Sequence, residues 1–281
     1  MSQGTVKRRN HEVPKGLLRN WLGQDGSKEG IHFIDLSNGK LRFEQGKNAN
    51  FAITDFLYVP ERENGERDDG LENWFSVDED GLAQFARRAG DGSLSSLSEK
   101  SVNQAIRACI ALGHRSAYSM YMAMSALGPS NGSRHITAVD NVVNSIAHKF
   151  QAFRNWEFLI LYDLPVSLFI SERPFLDFTP RDADMVMMPL GPRSLMLGSP
   201  PSAANRAEMQ INVQKATSIH RRIAEMHNHA SIEMARQWVI AGTRAELGSI
   251  ASDLTPEKVM KRRQTDRVII EAREVTITPR S

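Results

Sequence analysis

Residues 156–174 read WEFLILYDLPVSLFISERP, and this stretch decides the fold prediction. Its two apolar runs, residues 156–162 and 166–170, have the length and composition of buried strands on either side of a proline-marked turn. The second run stops at residues 171–174, where Ser, Glu and Arg precede a proline that cannot extend a sheet. Polar groups at the end of a buried strand commonly build a site, so this tetrapeptide is the first candidate.

The composition indicates a folded protein without a strong electrostatic signature. Its 281 residues are 41% hydrophobic, which is enough for a sizeable core. The formal net charge is only +2, from 35 basic and 33 acidic residues, so no overall field demands a nucleic acid partner. The basic residues comprise 25 Arg and 10 Lys, a bias that suits bidentate contacts with carboxylate or phosphate but also follows from a GC-rich genome.

Cys109 is the single cysteine, which excludes an intramolecular disulfide or a Cys-based zinc site and fits a reducing interior. It lies in the apolar run 105–112, so we expect a core residue rather than a nucleophile. No segment approaches the roughly 18 consecutive apolar residues that cross a bilayer. The N-terminus also lacks the apolar region of a signal peptide. We therefore expect a soluble, cytoplasmic protein without membrane insertion.

The chain before the central stretch predicts a flexible end, a helix and a hairpin. Residues 1–10 are polar and basic and are expected to be flexible. Residues 11–22 place apolar side chains at helical spacing, with Pro14 in the first turn. The strand-like runs 30–36 and 40–44 flank an Asn-Gly turn, which is a strong hairpin signal.

Three helices are predicted between the hairpin and the central stretch. Residues 71–89 carry aromatic and aliphatic side chains at a spacing near 3.6. A helical block follows over residues 98–127, with Ser98 or Ser101 as N-cap, and a third helix covers residues 137–153.

The chain after the central stretch predicts two strands, a long helix and a polar extension. The strands lie in residues 185–198 and are separated by Pro-Leu-Gly-Pro at 189–192. Residues 208–241 predict one long helix, with a break near residues 227–229. The extension 242–281 contains a helix start at its Thr-Pro-Glu and a late strand-like run.

These elements together predict a single α+β domain over residues 11–241. It is predominantly helical, with a small antiparallel sheet built from the N-terminal hairpin and the central strands around 156–198. The C-terminal extension, residues 242–281, is expected to pack on this domain.

Several short motifs, taken in order, resemble the DUF4238 family. They are NHEVPKGLLRNW at residues 10–21, FLY at 56–58, FISERP at 169–174, PLGP at 189–192 and a late helix ending at 235–241. Members of that family open with His-x-x-Pro and a Leu-rich helix, then carry Phe-Ile-Thr-Ser-Asp-x-Pro and Pro-Leu-Ser/Thr-Pro. The resemblance covers most of residues 10–241. The function of the family is not established, so the resemblance supplies positions and no reaction.

The resemblance transfers to individual positions of the sequence. The matching residues are His11 and Pro14 in the opening motif, Ser171 and Pro174 at the strand end, Pro189, Leu190 and Pro192 in the return, and Asn228 in the late helix. Glu172 departs from the family's Asp, and Gly191 departs from its Ser or Thr. The longer arm of Glu172 suits a capping carboxylate better than a tightly held metal ligand, which weakens the case for a catalytic carboxylate.

Five polar residues from separate elements form the predicted site. We assign His11, Glu172 and Arg173 catalytic roles, with His11 as general base or phosphate donor and Arg173 as anion clamp. Ser171 and Asn228 are assigned to substrate binding. The alternative is structural for each residue taken singly. On that interpretation His11 orients the first helix, Ser171 and Glu172 satisfy backbone groups, and Asn228 ties a helix to the sheet.

Other site signatures are weak or absent from the sequence. His220, His227 and His229 lie near Glu225, but on a helix His229 points away from the other two, and no His-Glu-x-x-His spacing occurs. We therefore assign no metal site. The cofactor stays unknown, and a divalent metal stays open without a motif to indicate it. The sequence also lacks a P-loop, a dinucleotide fingerprint and a G-x-S-x-G elbow.

The best functional prediction is an intracellular, prokaryotic-type enzyme acting on a phosphate-containing substrate. One form is a nuclease-like effector of phage defence or a toxin system, with nucleic acid or another phosphate-containing ligand as partner. The alternative is a non-catalytic sensor or interaction module that binds a peptide or small anion and forms a homo-oligomer through its long helices. A structural partner of another protein is a third interpretation.

Overall fold

The computed structural model describes residues 9–62, 64–127, 134–178, 184–201 and 208–253. The α-helices are α1 (Lys15–Leu18), α2 (Gly70–Asp91), α3 (Glu99–Leu112), α4 (Ala117–Ala126), α5 (Arg134–Ala152), α6 (Arg221–Met234) and α7 (Arg244–Asp253). The strands are β1 (Arg9–His11), β2 (Leu22–Asp25), β3 (Lys28–Asp35), β4 (Lys40–Gln45), β5 (Ile53–Asp55), β6 (Glu157–Tyr162), β7 (Ile170–Ser171), β8 (Leu176–Asp177), β9 (Val186–Gly191), β10 (Ser194–Ser199), β11 (Gln210–Lys215) and β12 (Trp238–Ile240).

The strands of the described residues form three sheets. A central sheet has the order β11-β6-β10-β9-β8 and is antiparallel except for the parallel pair β11–β6. A second sheet has the order β2-β3-β12-β7, with β4 also paired to β3. The strands β1 and β5 form a separate antiparallel pair. The predicted single α+β class is confirmed, and the strands are shared among three sheets rather than gathered in one.

Helices cover both faces of the central sheet, and β6 explains why. Successive side chains of a strand point to opposite faces. Phe158 and Ile160 join the core formed with α2, α3 and α5, whereas Leu159 and Leu161 pack with α6. A strand that is buried on both faces needs an almost continuous apolar sequence. The prediction of a buried strand over residues 156–162 is therefore confirmed as β6.

The predicted hairpin and α2 are confirmed. The strands β3 and β4 pair antiparallel, and Gly39 at their turn has a φ of 70° that favours glycine.

The second sheet packs on α7 through Leu247 and Ile250, which places the start of the C-terminal extension against the domain. The predicted helix start and late strand beyond residue 253 lie outside the described residues.

The predicted helical block 98–127 is divided into α3 and α4. Ser98 accepts a hydrogen bond from the backbone N–H of Ser101 at 3.2 Å, which confirms Ser98 as the N-cap. Ser116 makes the same type of bond to Ser119 at 3.0 Å and starts α4. The four residues between the helices form a turn whose Arg115 is buried in the core.

The predicted helix over residues 11–22 is confirmed only over residues 15–21. Residues 9–11 form β1, and the helical part is reduced to α1 and a 3-10 turn at Arg19–Trp21. Pro14 occupies the N-cap position just before α1. Pairing with β5 outweighs the local helical pattern because it uses the backbone groups of residues 9–11. It also gives residues 9 and 10 a defined position, whereas residues 1–8 lie outside the described residues.

The predicted strand over residues 166–170 is wrong except at its last residue. Only Ile170 and Ser171 pair, with β12. Leu168 instead donates its N–H to Pro192 O at 2.7 Å and accepts at its carbonyl from Trp21 Nε1 at 2.9 Å. The segment is apolar because it is buried, and buried irregular backbone gives the same sequence pattern as a short strand.

The predicted long helix over residues 208–241 is wrong at both ends. Residues 210–215 form β11, and residues 238–240 form β12, so that α6 occupies only the middle. The helix α6 continues through residues 227–229 without the predicted break. Both strands pair with strands that are distant in the sequence, so the local pattern carries no signal for them.

Among the described residues, no helix has the length and apolar character needed to cross a membrane.

The predicted strand pair in residues 185–198 is confirmed as β9 and β10, with a shifted turn. The strand β9 continues through Pro189 to Gly191, so the turn consists of Pro192 and Arg193 rather than the whole Pro-Leu-Gly-Pro. The pairing register shifts between Ser194 and Leu195, which accommodates the proline in β9.

Candidate functional site

Glu172 follows β7 and holds the start of β12. Its side chain is fully buried. Oε1 accepts the backbone N–H of Arg236 at 2.6 Å, and Oε2 accepts that of Trp238 at 3.5 Å. The carboxylate therefore replaces a missing strand partner for residues 236–238. This is the structural role that the sequence offered as the alternative for Glu172.

Glu12 is a second buried carboxylate that holds the same segment. Oε1 accepts from Thr54 Oγ1 at 2.6 Å, and Oε2 accepts from the backbone N–H of Ala117 at 3.0 Å. The amide nitrogen Nε2 of Gln237 also donates to Oε2 at 3.4 Å. We call Glu12 and Glu172 the carboxylate pair. Together they fix the beginning of α4 and residues 236–238, which lie more than one hundred positions apart in the sequence.

The two carboxylates influence each other electrostatically. Burial raises the pKa of Glu172 to about 7, and the charge of Glu12 acts in the same direction. The backbone N–H of Arg236 and the charge of Arg173 oppose this rise. Glu172 consequently exchanges a proton close to neutral pH, which an exposed carboxyl does not do.

Two arginines lie beside one aromatic ring next to the carboxylate pair. The guanidinium carbon of Arg173 is 5.7 Å from the centre of the Tyr118 ring, and that of Arg236 is 5.8 Å from it. All three side chains are half-buried. We call these three residues the arginine patch. It presents two positive charges at partly solvated positions, a combination that binds anions.

The arginine patch is positioned by elements that the carboxylate pair holds. Tyr118 lies in the first turn of α4, whose Ala117 N–H is bound by Glu12. Arg236 has its own backbone N–H bound by Glu172, and its Nη1 donates to the carbonyls of Glu233 and Ala235 at 3.0 Å. No carboxylate pairs with the Arg236 guanidinium in the part of the chain that the structure describes.

His114 adds a neutral imidazole close to Arg173. It is half-buried in the turn between α3 and α4. Burial, together with the charges of Lys149 and Arg173, lowers the pKa of His114 to about 4 against the opposing charge of Asp177. Lys149 itself forms an ion pair with Asp177. His114 is therefore unprotonated at neutral pH and able to accept a proton.

Arg115 fixes the turn that carries His114. It is buried and donates from Nη1 to Glu79 Oε1 at 2.6 Å and from Nη2 to the carbonyl of His11 at 3.0 Å. Its guanidinium carbon lies 4.3 Å from the centre of the Phe75 ring. These contacts join α2, β1 and the turn into one rigid support.

The His11 imidazole contacts the loop between β4 and β5. Its Nε2 lies 3.3 Å from the carbonyl oxygen of Asn48. Burial lowers the pKa of His11, and the charged side chains that act on it belong to Glu79, Lys15 and Arg115. Within the His-x-x-Pro motif, the residue that holds the candidate site together is therefore Glu12, which follows His11 in the sequence.

The two residues predicted to bind substrate, Ser171 and Asn228, contact the backbone instead. Ser171 is fully buried, and its Oγ accepts the N–H of Arg173 at 3.3 Å. Asn228 in α6 accepts the N–H of Phe169 at 2.9 Å and donates to the carbonyl of Ser167 at 2.8 Å. Asn228 thereby ties α6 to the segment before β7, as the structural alternative stated. Of the five predicted site residues, the structure brings together only the consecutive residues 171–173.

The late histidines have separate roles. His227 is buried, with Nδ1 3.4 Å from Asn228 Oδ1 and Nε2 3.4 Å from Ser231 Oγ, and burial lowers the pKa of His227 to about 4. His220 accepts the N–H of Thr217 at 2.9 Å, whereas His229 is exposed. Within the described ranges, no three side chains of His, Cys, Asp or Glu are placed to hold a metal ion. Cys109 is buried in α3, and burial raises the pKa of its thiol, as expected for a core residue.

Sequence reasoning missed four residues of this arrangement, namely Glu12, His114, Tyr118 and Arg236. Glu12 lies inside the motif that pointed to His11, so the signal was one position away. The other three lie in turns or at helix ends where periodicity is uninformative, and Arg236 is one of 25 arginines in the sequence.

Comparisons of the chain with protein-family models, with curated proteins and with solved structures find no match. The resemblance to DUF4238 stays a prediction. The chain is defined by its fold as a single α+β domain, and its function has to be inferred from the chemistry of the site.

Proposed function

We propose that the arginine patch binds a phosphate group and that the protein is an enzyme acting on a phosphate-containing substrate. The observation that carries this proposal is the placement of Arg173 and Arg236 at 5.7 and 5.8 Å from one Tyr118 ring. Guanidinium groups bind phosphate oxygens through paired, charge-assisted hydrogen bonds. Half-buried guanidinium groups bind more strongly than exposed ones because water screens the attraction less.

The neighbouring imidazole supports a chemical role for the same site. His114 is neutral at pH 7 and lies within electrostatic range of Arg173. A neutral imidazole can take a proton from a water molecule or hydroxyl group that attacks phosphorus. The arginines would stabilise the charge that develops on the phosphoryl oxygens. A phosphodiester is the substrate class that fits the predicted nuclease-like effector of phage defence or a toxin system.

One observation favours a non-catalytic sensor as the second candidate. Glu172 is fully buried, and both of its oxygens accept backbone N–H groups. It therefore positions the Arg236 segment and does not reach a substrate in this conformation. In the sensor candidate, the arginine patch binds a small anion and transmits binding to residues 236–238 without chemistry.

The binding part is tested by titrating inorganic phosphate and sulfate in a calorimeter. We expect Arg173→Ala and Arg236→Ala each to weaken binding by roughly tenfold or more, because each removes charge-assisted hydrogen bonds. Arg193→Ala is the matched control, since Arg193 is exposed in the turn between β9 and β10. Equal affinities in the wild type and all three variants would contradict the phosphate site.

The catalytic part is tested with labelled RNA and DNA oligonucleotides, with and without divalent metal ions. We expect cleavage by the wild type, strong loss in His114→Gln and little change in His11→Ala, whose imidazole contacts Asn48 instead. Anion binding without cleavage of either nucleic acid would favour the sensor. Loss in His11→Ala but not in His114→Gln would restore the assignment made from the sequence.

A further inference from the structure

The carboxylate pair and the arginine patch share one short segment of chain. Glu172 binds the backbone N–H groups of Arg236 and Trp238, and Glu12 binds the side chain of Gln237 between them. Arg173 is also the immediate neighbour of Glu172. A ligand held by Arg173 and Arg236 would consequently lie close to a buried carboxylate that can carry a negative charge.

We propose that binding of a phosphate group at the arginine patch is coupled to uptake of a proton by Glu172, so that the site binds its ligand more tightly at lower pH. This inference rests on the proposed phosphate site and adds a regulation of that site. The proton comes from solvent. The bound complex therefore contains the anionic ligand, two guanidinium cations and a neutral Glu172.

Electrostatic repulsion is the reason for the coupling. An anion next to ionised Glu172 is repelled, and the repulsion is poorly screened because Glu172 is fully buried. Protonation removes this repulsion. In the free protein the pKa of Glu172 is about 7, so both forms are populated at neutral pH and the ligand can select the neutral one.

The two oxygens of Glu172 differ in how readily they take the proton. Oε1 accepts from Arg236 at 2.6 Å, whereas the contact of Oε2 with Trp238 is long, at 3.5 Å. A proton on Oε2 weakens only the long contact and leaves the short bond to the Arg236 N–H. The segment that carries Arg236 therefore stays in place when the carboxyl becomes neutral.

The charged groups around Glu172 set the direction of the effect. Glu12, from the segment between β1 and α1, favours the neutral form, and Arg173, in the segment after β7, favours the ionised form. A phosphate that pairs with Arg173 cancels the second influence, so burial and the charge of Glu12 both favour the neutral carboxyl. His114 is a further titratable side chain near Arg173. Its pKa of about 4 keeps it unprotonated over the range in which Glu172 titrates.

The experiment is a calorimetric titration of the full chain with sulfate, which stays a dianion throughout the range from pH 6 to pH 8. We expect the dissociation constant to rise about tenfold between these two pH values, because Glu172 ionises within that range. Titrations at pH 7 in buffers with different ionisation enthalpies should give uptake of about half a proton per sulfate, since half of the free protein is already protonated.

Three variants identify the group that takes the proton. Glu172→Gln should bind sulfate with neither pH dependence nor proton uptake. Glu12→Gln removes the neighbouring charge, so it should move the pH dependence to lower pH. His114→Gln should retain the pH dependence, and its loss there would assign the proton to His114 and overturn the proposal.

A measurement on the wild type guards against misfolded variants. Infrared difference spectroscopy should reveal a new protonated carboxyl band when sulfate is added at pH 7.5. Sulfate binding without this band and without pH dependence would overturn the coupling and leave the phosphate site intact. No sulfate binding at any pH would overturn both.

Discussion

Two polar clusters lie on either side of the short strand β7, and they differ in charge. Before β7, Asn228 binds the backbone at Ser167 and Phe169 with a neutral amide. After β7, Glu172 binds the backbone at Arg236 and Trp238 with a buried carboxyl. Both clusters hold irregular chain that leads into a strand of the second sheet, so a neutral side chain is sufficient for that task.

The difference in charge makes the cluster after β7 the candidate for a functional role. A buried amide with both ends bonded costs little. Burial and the charge of Glu12 raise the pKa of Glu172, which makes this carboxyl costly to ionise. Only the cluster after β7 also lies next to two half-buried arginines. Strongly perturbed ionisable groups beside complementary charges are typical of functional sites.

The largest expected effect is a loss of stability with rising pH that depends on Glu172. Below its ordinary pKa of 4.5, the carboxyl is protonated in both folded and unfolded chains. Between pH 4.5 and about 7 the unfolded chain ionises first, so the free energy of unfolding falls by about 3 kcal/mol. Urea denaturation at several pH values should show this fall in the wild type and not in Glu172→Gln. The exposed Glu225→Gln is the control that keeps it.

An equal slope in the wild type and Glu172→Gln would mean that Glu172 is not neutral in the folded protein. That result would remove the contrast in charge between the two clusters.

An effect of opposite sign is expected from His227 in the cluster before β7. The pKa of His227 is about 4 in the folded chain and 6.5 ordinarily, so the unfolded chain binds more protons between these values. The free energy of unfolding is fully retained above pH 6.5 and falls by up to about 3 kcal/mol as the pH decreases to 4. The same denaturation series should lose this acid sensitivity in His227→Gln and keep it in the exposed His229→Gln.

Because His114 contributes a similar acid sensitivity, the His227→Gln variant should still lose some stability in acid. An unchanged profile in His227→Gln would indicate that His227 is protonated in the folded chain.

The smallest expected effect is a loss of stability in Asn228→Ala that leaves the binding of sulfate unchanged. Asn228→Ala leaves the Phe169 N–H and the Ser167 carbonyl without their partner and should cost about 2 kcal/mol of stability. The affinity for sulfate should stay at the wild-type value, because the amide of Asn228 is bonded to the backbone of Ser167 and Phe169. Thermal denaturation and calorimetry measure the two quantities. Asn144→Ala, on the exposed face of α5, is the control.

A weakened affinity for sulfate in Asn228→Ala would show that the two clusters act together. It would support the grouping of Asn228 with Glu172 and Arg173 that the sequence suggested.

The sequence predicted Glu172 and Arg173, which are two of the six residues that make up the candidate site. The tetrapeptide 171–174 led to Glu172 and Arg173 because a polar group after an apolar run is visible locally. Glu12 and Arg236 were not found because their role depends on contacts across the chain. Glu12 meets Gln237 over a separation of 225 residues, and no periodic pattern encodes such a contact.

The sequence by itself determined the elements whose signals are local. The hairpin of β3 and β4, the helix α2, the N-cap Ser98 and the doubly buried strand β6 follow from turn chemistry and from the period of apolar residues. The tertiary structure alone decided the strands β1, β7, β11 and β12, because segments that are very short or, like β11, mostly polar become strands only when a distant partner supplies hydrogen bonds. The same long-range pairing brings Glu12, Glu172 and Arg236 together, so the site is a product of the assembled fold.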